Sequence, residues 1–135
     1  MVKQISIFVE NKPGRVKEIL QAIARANVNM KALSLADTTE YGVMRIIVDD
    51  CDAVKSALDT EGVIMRVGDI IAIAVEDKVG ALTEPFSVLC DNNIPTEYVY
   101  AFAEKLDGYI RQHGIQMPHL DEQAVKICAR YRVCG

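Results

Sequence analysis

Apolar and polar residues alternate in the first segment of the chain, "QISIFVE". Ile5, Ile7 and Val9 fall on one face, and Ser6 and Phe8 on the other. This period of two predicts a strand with one buried face. The period then changes to that of an amphipathic helix ending near Asn27, in which Pro13 is expected in the first turn. Its apolar stripe comprises Val16, Ile19, Leu20, Ile23 and Ala24.

The next segments complete a known order of elements. "VNMKALSLAD" and "YGVMRIIVDD" predict two strands joined by a polar turn, and "DDCDAVKSALDTEG" predicts a short helix. Asp50 or Asp52 is the expected N-cap of this helix, and Gly62 is the expected stop. "VIMRV" predicts a fourth strand. The order βαββαβ indicates an α+β, ferredoxin-like unit with an antiparallel sheet and helices on one face.

The whole pattern recurs 66 residues later. Identical residues recur at this offset: Ile5, Ile7, Val9, Glu10, Lys12, Gly14, Glu18, Asn27 and Gly42 return as Ile71, Ile73, Val75, Glu76, Lys78, Gly80, Glu84, Asn93 and Gly108. A repeat of this length indicates duplication of one supersecondary unit. We therefore expect two ferredoxin-like domains, 1–68 and 69–135.

The second copy departs from the first in two places. Pro85 replaces Ile19, which predicts a kink or a helix that starts late. After Gly108 the match fails, and it resumes only at "QAVKICA", which resembles the helical "DAVKSAL" with a longer offset. On that offset the last strand would span about 133–138, so we expect the second copy to be irregular after Gly108 and to lack most of its last strand. The sequence leaves the cause open.

Composition narrows the class of protein. The chain has 135 residues, of which half are hydrophobic and a quarter charged, with a net charge of -4. These values are typical of a folded domain, and the negative charge argues against a nucleic-acid partner. No apolar run has membrane-spanning length, and the N-terminus alternates where a signal peptide would be continuously apolar. We expect a cytoplasmic protein that binds neither nucleic acid nor membrane.

The repeated turns "VENKPGRV" and "VEDKVGAL" carry the candidate chemistry. Each lies where a strand leads into a helix, whose first N–H groups and positive dipole end favour a carboxylate. Gly14 and Gly80 allow close approach, and Asn11 or Asp77 could accept a hydrogen bond from an ammonium group. Those two functions describe an amino acid. Alternatively, Asn11 and Asp77 simply cap their helices and the glycines ease packing.

The same stretches, "ENKPGRVKEILQAIARANVNM" and "EDKVGALTEPFSVLCDNNIPTEYVYAF", resemble the opening halves of ACT domains. The resemblance covers the first copy throughout and the second to about Gly108. It implies a sensor that binds an amino acid at the first strand-to-helix turn, often across an interface between domains. Val79 stands where the family has proline. The residues carried over are Asn11, Lys12, Pro13, Gly14, Arg15, Asn29 and Met30, and in the second copy Asp77, Lys78, Gly80, Ala81, Pro95 and Thr96.

Other features of the sequence give weaker evidence for a functional site. "DDCD" is best explained as a helix cap, and His113 and His119 have no partner at a catalytic spacing. The four scattered cysteines suggest packing thiols, and no motif for a cofactor or metal is present. Tyr98, Tyr100 and Phe102 share one side of a strand, which suggests a subunit interface more than an RNA-binding sheet, because the flanking residues are acidic.

Taken with the resemblance, these features predict a non-catalytic module of tandem ACT-like domains. We expect a homodimer that binds an amino acid and changes the activity of a partner enzyme or a metabolic pathway. Two alternatives stay open. One is a structural or interaction module that kept the fold and lost the ligand, and the other is a small enzyme on the ferredoxin-like frame.

Overall fold

The computed structural model describes residues 2–37, 40–76, 78–103 and 124–131. The chain divides into two compact units, Val2–Asp69 and a second unit that begins at Ile70. The elements, in chain order, are β1 (Val2–Glu10), α1 (Arg15–Arg25), β2 (Met30–Asp37), β3 (Tyr41–Val48), α2 (Cys51–Asp59), β4 (Met65–Glu76), α3 (Thr83–Asp91), β5 (Thr96–Ala103) and β6 (Ala124–Tyr131). Within these residues, no helix has the length and apolar character needed to cross a membrane.

The first unit has the predicted βαββαβ order. Its strands lie in the order β2-β3-β1-β4, and β3 pairs antiparallel with both β1 and β2, with Ile5 opposite Ile46 and Leu33 opposite Ile46. The sequence predicted a fourth strand near 63–67 and a separate strand starting near Ile70, but one strand, β4, covers both. β4 therefore contributes residues to each unit.

The core of the first unit lies between one sheet face and the two helices. The alternation in β1 is confirmed, because Ile5, Ile7 and Val9 are buried while Phe8 is half exposed. They pack in one cluster with buried residues of β3, α1 and α2, which are Met44, Ile46, Val48, Ile19, Ala22, Ile23, Val54 and Leu58. The helical period of α1 is thus confirmed as well. One detail differs, since Ala22 is buried whereas Ala24 is exposed.

The structure defines the starts of α1 and α2 more closely than the sequence prediction did. Asp50, not Asp52, is the N-cap of α2, and its carboxylate accepts a hydrogen bond from the N–H of Ala53 at 3.0 Å. Pro13 lies before α1 and not in its first turn. The reason is that Gly14 has a left-handed backbone (φ 84°), which breaks the helical path and places the start of α1 at Arg15.

The second unit repeats the first closely as far as β5. α3 ends at Asp91, which is 66 residues after Arg25, and β5 has the same bounds as β2 after the same offset. Asn27 and Asn93 both have a positive φ, of 56° and 53°, after their helices. The late start predicted from Pro85 is confirmed. α3 begins at Thr83, so that Pro85 falls in the first turn, where its missing N–H leaves no hydrogen bond unmade.

The segment resembling "DAVKSAL" was wrongly interpreted as helical. Ala124–Tyr131 forms strand β6, which pairs antiparallel with β4 and β5, as β3 pairs with β1 and β2. The physical reason is the period of two in "AVKICARY", where Val125, Ile127 and Ala129 alternate with Lys126 and Arg130. The expected irregular segment after Gly108 and the expected last strand lie outside the described residues.

Candidate functional site

The β1–α1 turn is held by short backbone hydrogen bonds. The N–H of Lys12 donates to the Glu10 carbonyl at 2.8 Å, and the N–H of Arg15 donates to the Lys12 carbonyl at 3.2 Å. Gly14 then caps α1 in the left-handed conformation, and its carbonyl accepts from the N–H of Glu18 at 3.0 Å. A Cβ built on Gly14 meets nothing within 4 Å, so the turn opens to free space. Gly14 is therefore required by its backbone angle and not by crowding.

The start of α1 has no side-chain cap. Its N-cap residue is Gly14, and Asn11 lies three residues earlier and makes no cap hydrogen bond. The interpretation of Asn11 as a simple helix cap is therefore wrong. The N–H groups of Val16 and Lys17 have no intrahelical acceptor, because the first turn of any helix lacks one. These groups are donors at the positive end of the helix dipole.

Charged side chains around this turn are paired with one another. Lys12 Nζ lies 2.7 Å from Glu10 Oε2 on the surface, and this bond lowers the pKa of Glu10 and raises the pKa of Lys12. Arg15 donates to Glu18 Oε2 at 3.0 Å and to the Glu61 carbonyl at 3.4 Å. The Arg15 side chain therefore ties the first turn of α1 to the loop after α2.

Asn29 and Met30 lie at the start of β2. The N–H of Asn29 donates to Asp49 Oδ1 at 3.2 Å, and the N–H of Asp49 donates to the Asn29 carbonyl at 3.3 Å. The Asn29 side chain is exposed, whereas Met30 is partly buried against the core. The backbone of Asn29 is therefore fixed to Asp49, just after β3.

The second turn has the same backbone geometry. Gly80 has a φ of 81°, and the N–H of Ala81 donates to the Lys78 carbonyl at 3.2 Å. A cavity of about 370 Å³ lies between β4 and α3 at this turn. Its apolar wall includes Ile73, Val75, Pro85 and Val88, and the side chains of Lys78 and Glu84 also line it, next to Ala81. Lys78 and Ala81 are thus brought together.

Three further predicted residues of the second copy are Pro95, Thr96 and Asp77. Pro95 and Thr96 are exposed at the start of β5 and are not among the residues that line the cavity. Asp77 lies outside the described residues. The predicted second site is therefore assembled only in part, from the turn and the cavity beside it.

Glu84 and the apolar wall of the cavity were missed as candidate site residues. The repeat itself contained a signal for them, because Glu84 corresponds to Glu18, and Ala81 and Pro85 stand where the first copy has Arg15 and Ile19. Shorter side chains at these two positions, one just before α3 and one in its first turn, indicate a gap beside the preceding strand.

The other candidate residues that the structure describes show no catalytic arrangement. Cys51 is half-buried, and burial, followed by Asp52 and Asp50, raises its pKa, which disfavours a reactive thiolate. Cys90 is exposed. In the described ranges, no group of three or more metal-ligating side chains occurs. His113 and His119 lie outside those ranges. Tyr98 and Tyr100 are half-buried, and Val99 on the opposite side is 43% exposed.

The duplicated fold and its open turns agree with the family comparison. The model of the ACT domain pair matches residues 1–123. The chain therefore belongs to the ACT domain pair family, whose domains are regulatory modules, and the prediction of tandem ferredoxin-like ACT units is confirmed.

Solved structures share this fold. Protein BT0572 from Bacteroides thetaiotaomicron is 28% identical with a TM-score of 0.78, and the match covers 96% of this chain and 78% of that one. The ligand-free regulatory subunit of aspartate kinase from Thermus thermophilus is 13% identical with a TM-score of 0.63, covering 94% and 81%. The regulatory subunit from Thermus flavus is 12% identical with a TM-score of 0.57, also covering 94% and 81%. A comparison with curated proteins gave no significant match.

Proposed function

We propose that this ACT pair is a non-catalytic cytoplasmic module that binds an amino acid and thereby regulates a partner enzyme or pathway. The observation that carries the proposal is the repeated strand-to-helix turn. Gly14 and Gly80 adopt the same left-handed conformation with open space beside them. A turn that serves packing alone would not need open space at both copies.

The first turn offers two complementary groups. A ligand carboxylate can accept from the N–H groups of Val16 and Lys17, which lack intrahelical acceptors and lie at the positive end of α1. The ligand ammonium group can donate to the exposed side-chain oxygen of Asn11. Pro13 restricts the backbone before Gly14, and Arg15 fixes the turn to the loop after α2.

The remaining predicted residues complete the proposed sites. Asn29 and Met30 would supply the facing positions of the first site, with Asn29 as the polar contact because its side chain is exposed. In the second copy the corresponding residues are Asp77, Lys78, Gly80, Ala81, Pro95 and Thr96. Asp77 would take the role of Asn11 with a full negative charge, which favours an ammonium group.

A homodimer is the proposed assembly. β2 lies at the edge of its sheet, and an unpaired edge can accept a strand from a second chain. Leu33 and Leu35 on this strand are 47% and 49% exposed, which adds apolar surface to the edge. Regulatory action also fits the Thermus regulatory subunits, which share the fold. A partner contacted through such a dimer could sense ligand binding.

Thermal unfolding in the presence of each of the twenty amino acids tests the proposal. A ligand at a hundred times its Kd stabilises the folded state by about 2.7 kcal/mol, which shifts the midpoint by about 5–10 °C for a chain of this size. Gly14→Asn should weaken the response from the first turn, because asparagine tolerates a positive φ but adds a side chain.

Gly68→Asn is the control, because Gly68 also has open space beside it but lies within β4, outside the turn. It should keep the response. If no amino acid shifts the midpoint, the ligand proposal fails, and a structural or interaction module is the remaining function of this ACT pair.

A further inference from the structure

The helix-covered face of the second unit is more open than that of the first. In the first unit two helices lie on this face, and Ile5 is fully buried in one cluster with Val54 and Leu58 of α2. The part of the second unit that the structure describes contains one helix, α3. Ile71, the counterpart of Ile5, is 45% exposed. It faces the helix side, because it lies two residues before Ile73, which lines the cavity beside α3.

In the first unit, one stripe of α1 faces α2 and the loop that follows it. Arg15 donates to the Glu61 carbonyl at 3.4 Å, and Arg25 donates to Glu61 Oε1 at 3.1 Å. Ala22 lies between the two arginines on the same side of the helix and is buried. α1 therefore meets α2 through a small apolar residue that has a cation on either side.

The same stripe of α3 has a different chemistry. The residues equivalent to Arg15, Ala22 and Arg25 are Ala81, Val88 and Asp91. Val88 is 56% exposed, and it lines the cavity together with Ala81 and Glu84. Both cations are lost, and the charged residues of α3, Glu84 and Asp91, are acidic. The side of α3 that corresponds to the contact with α2 is thus apolar at Val88 and negative on either side of it.

We propose that the groove between α3 and β4, bordered by Ile71, Ile73 and Val88, binds a short basic amphipathic helix of a partner protein. The apolar stripe of this helix lies against the three groove residues, as α2 lies against the first sheet. Its lysine or arginine side chains lie near Glu84 and Asp91. The inference goes beyond the proposed function, because it assigns a surface and a chemical class to the partner and requires no bound amino acid.

The charges of the first unit indicate why the bound helix is basic. α1 has three cationic residues and one anionic residue, whereas α2 contains Asp52, Lys55 and Asp59 and is capped by Asp50. The two packed helices thus have opposite net charge, and the same complementarity to the acidic α3 requires a basic helix. α2 of a second copy would be repelled. α2 has nine residues, so a helix about 14 Å long is sufficient.

Peptides of residues 51–60, with blocked ends, test the proposal. A side-chain cross-link opposite the apolar stripe holds each peptide helical, because nucleation is unfavourable in so short a chain. The basic peptide has Asp52→Lys and Asp59→Lys, the acidic peptide keeps the natural residues, and a third peptide has the basic composition in scrambled order. In calorimetric titrations of the full chain, the basic peptide should bind at least tenfold more tightly than the other two.

Variants of the full chain locate the binding. Ile71→Asn and Val88→Asn place an amide in the groove, and each should weaken binding of the basic peptide at least tenfold. Val79→Asn is the matched control and should leave binding unchanged, because Val79 is fully exposed and does not line the cavity. Asp91→Lys restores a cation at the position of Arg25. It should weaken the basic peptide and strengthen the acidic peptide at least threefold each.

Three outcomes overturn the inference. The first is absence of binding by the basic peptide, and the second is equal binding of the scrambled peptide, which would show attraction by charge alone. The third is self-association of the chain that Ile71→Asn abolishes, which would assign the groove to a second copy. The proposed function is tested separately. Peptide binding without any response to amino acids would support the groove and contradict the sensor, and the reverse result would do the opposite.

Discussion

Gly14 and Gly80, 66 residues apart, hold the same left-handed backbone conformation, with φ values of 84° and 81°. The same backbone hydrogen bond spans each glycine, from the N–H of Arg15 to the Lys12 carbonyl and from the N–H of Ala81 to the Lys78 carbonyl, at 3.2 Å in both copies. An L-residue in this region places its Cβ close to the following carbonyl. The chain therefore keeps glycine at both turns for a backbone reason, while the space beside each turn stays open.

Replacing Gly14 by alanine should lower the free energy of unfolding by about 1–2 kcal/mol, because alanine disfavours the left-handed region. Gly68→Ala is the control, since Gly68 has no left-handed φ and a Cβ there meets nothing within 4 Å. It should be neutral or slightly stabilising. Urea unfolding followed by circular dichroism measures both. Equal losses in the two variants would contradict a backbone cause.

Ile19 and Pro85 occupy equivalent helix positions but should differ in their contribution to stability. Ile19→Ala should cost about 2–5 kcal/mol, because it removes a fully buried side chain from the core. Pro85→Ala should cost no more than about 1 kcal/mol, because Pro85 lines an open cavity. The measurement is the shift of the urea midpoint at constant slope. A cost for Pro85→Ala as large as that for Ile19→Ala would show that the cavity is filled in solution.

Asp50→Ala should destabilise the chain by about 1 kcal/mol, because Asp50 caps α2 through the N–H of Ala53. Asp52→Ala removes the same charge two residues further along and should cost less, since Asp52 makes no cap hydrogen bond. Amide exchange at Ala53 reports the cap directly and should speed up in Asp50→Ala. Faster exchange only in Asp52→Ala would show that Asp52, and not Asp50, caps α2.

The Glu10–Lys12 pair gives a pH dependence with a definite sign. The bond to Lys12 lowers the pKa of Glu10 in the folded state. Its stabilisation is therefore present above the pKa of the unfolded chain and is lost as the pH falls through the folded value. NMR titration of the Glu10 carboxyl should give a pKa below the usual range, and Lys12→Gln should raise it. High salt should reduce this difference, because both side chains are exposed.

Much of the fold could be predicted because hydrophobic periods report directly on burial. β1 and α1 followed from the spacing of Ile5, Ile7, Ile19 and Ile23, and the offset of 66 carried the same elements into the second copy. β6 was not predicted, because the similarity of "QAVKICA" to "DAVKSAL" favoured a helix. The alternation of apolar and polar residues in the same segment indicates a strand. Only the pairing with β4 and β5 identifies it as a strand.

The site was less predictable than the fold. The spacing of the residues identifies the turns, but it allows Asn11 to be either a helix cap or a ligand contact. The structure excludes the capping role, because Gly14 is the N-cap of α1. The cavity depends on how far Pro85 and Ala81 leave space unfilled beside β4, which is a three-dimensional property. Glu84 is a candidate residue because it lines this cavity, which the sequence does not show.

Amino acid binding at the strand-to-helix turns can be observed residue by residue. Titration of the isotope-labelled full chain, followed by amide NMR spectra, tests it most directly with the amino acid that raises the unfolding midpoint furthest. We expect saturable shifts of the amide signals of Val16 and Lys17 in the first turn, or of Lys78 and Ala81 in the second. Signals that do not move at either turn, or shifts confined to the edge strand β2, would contradict it.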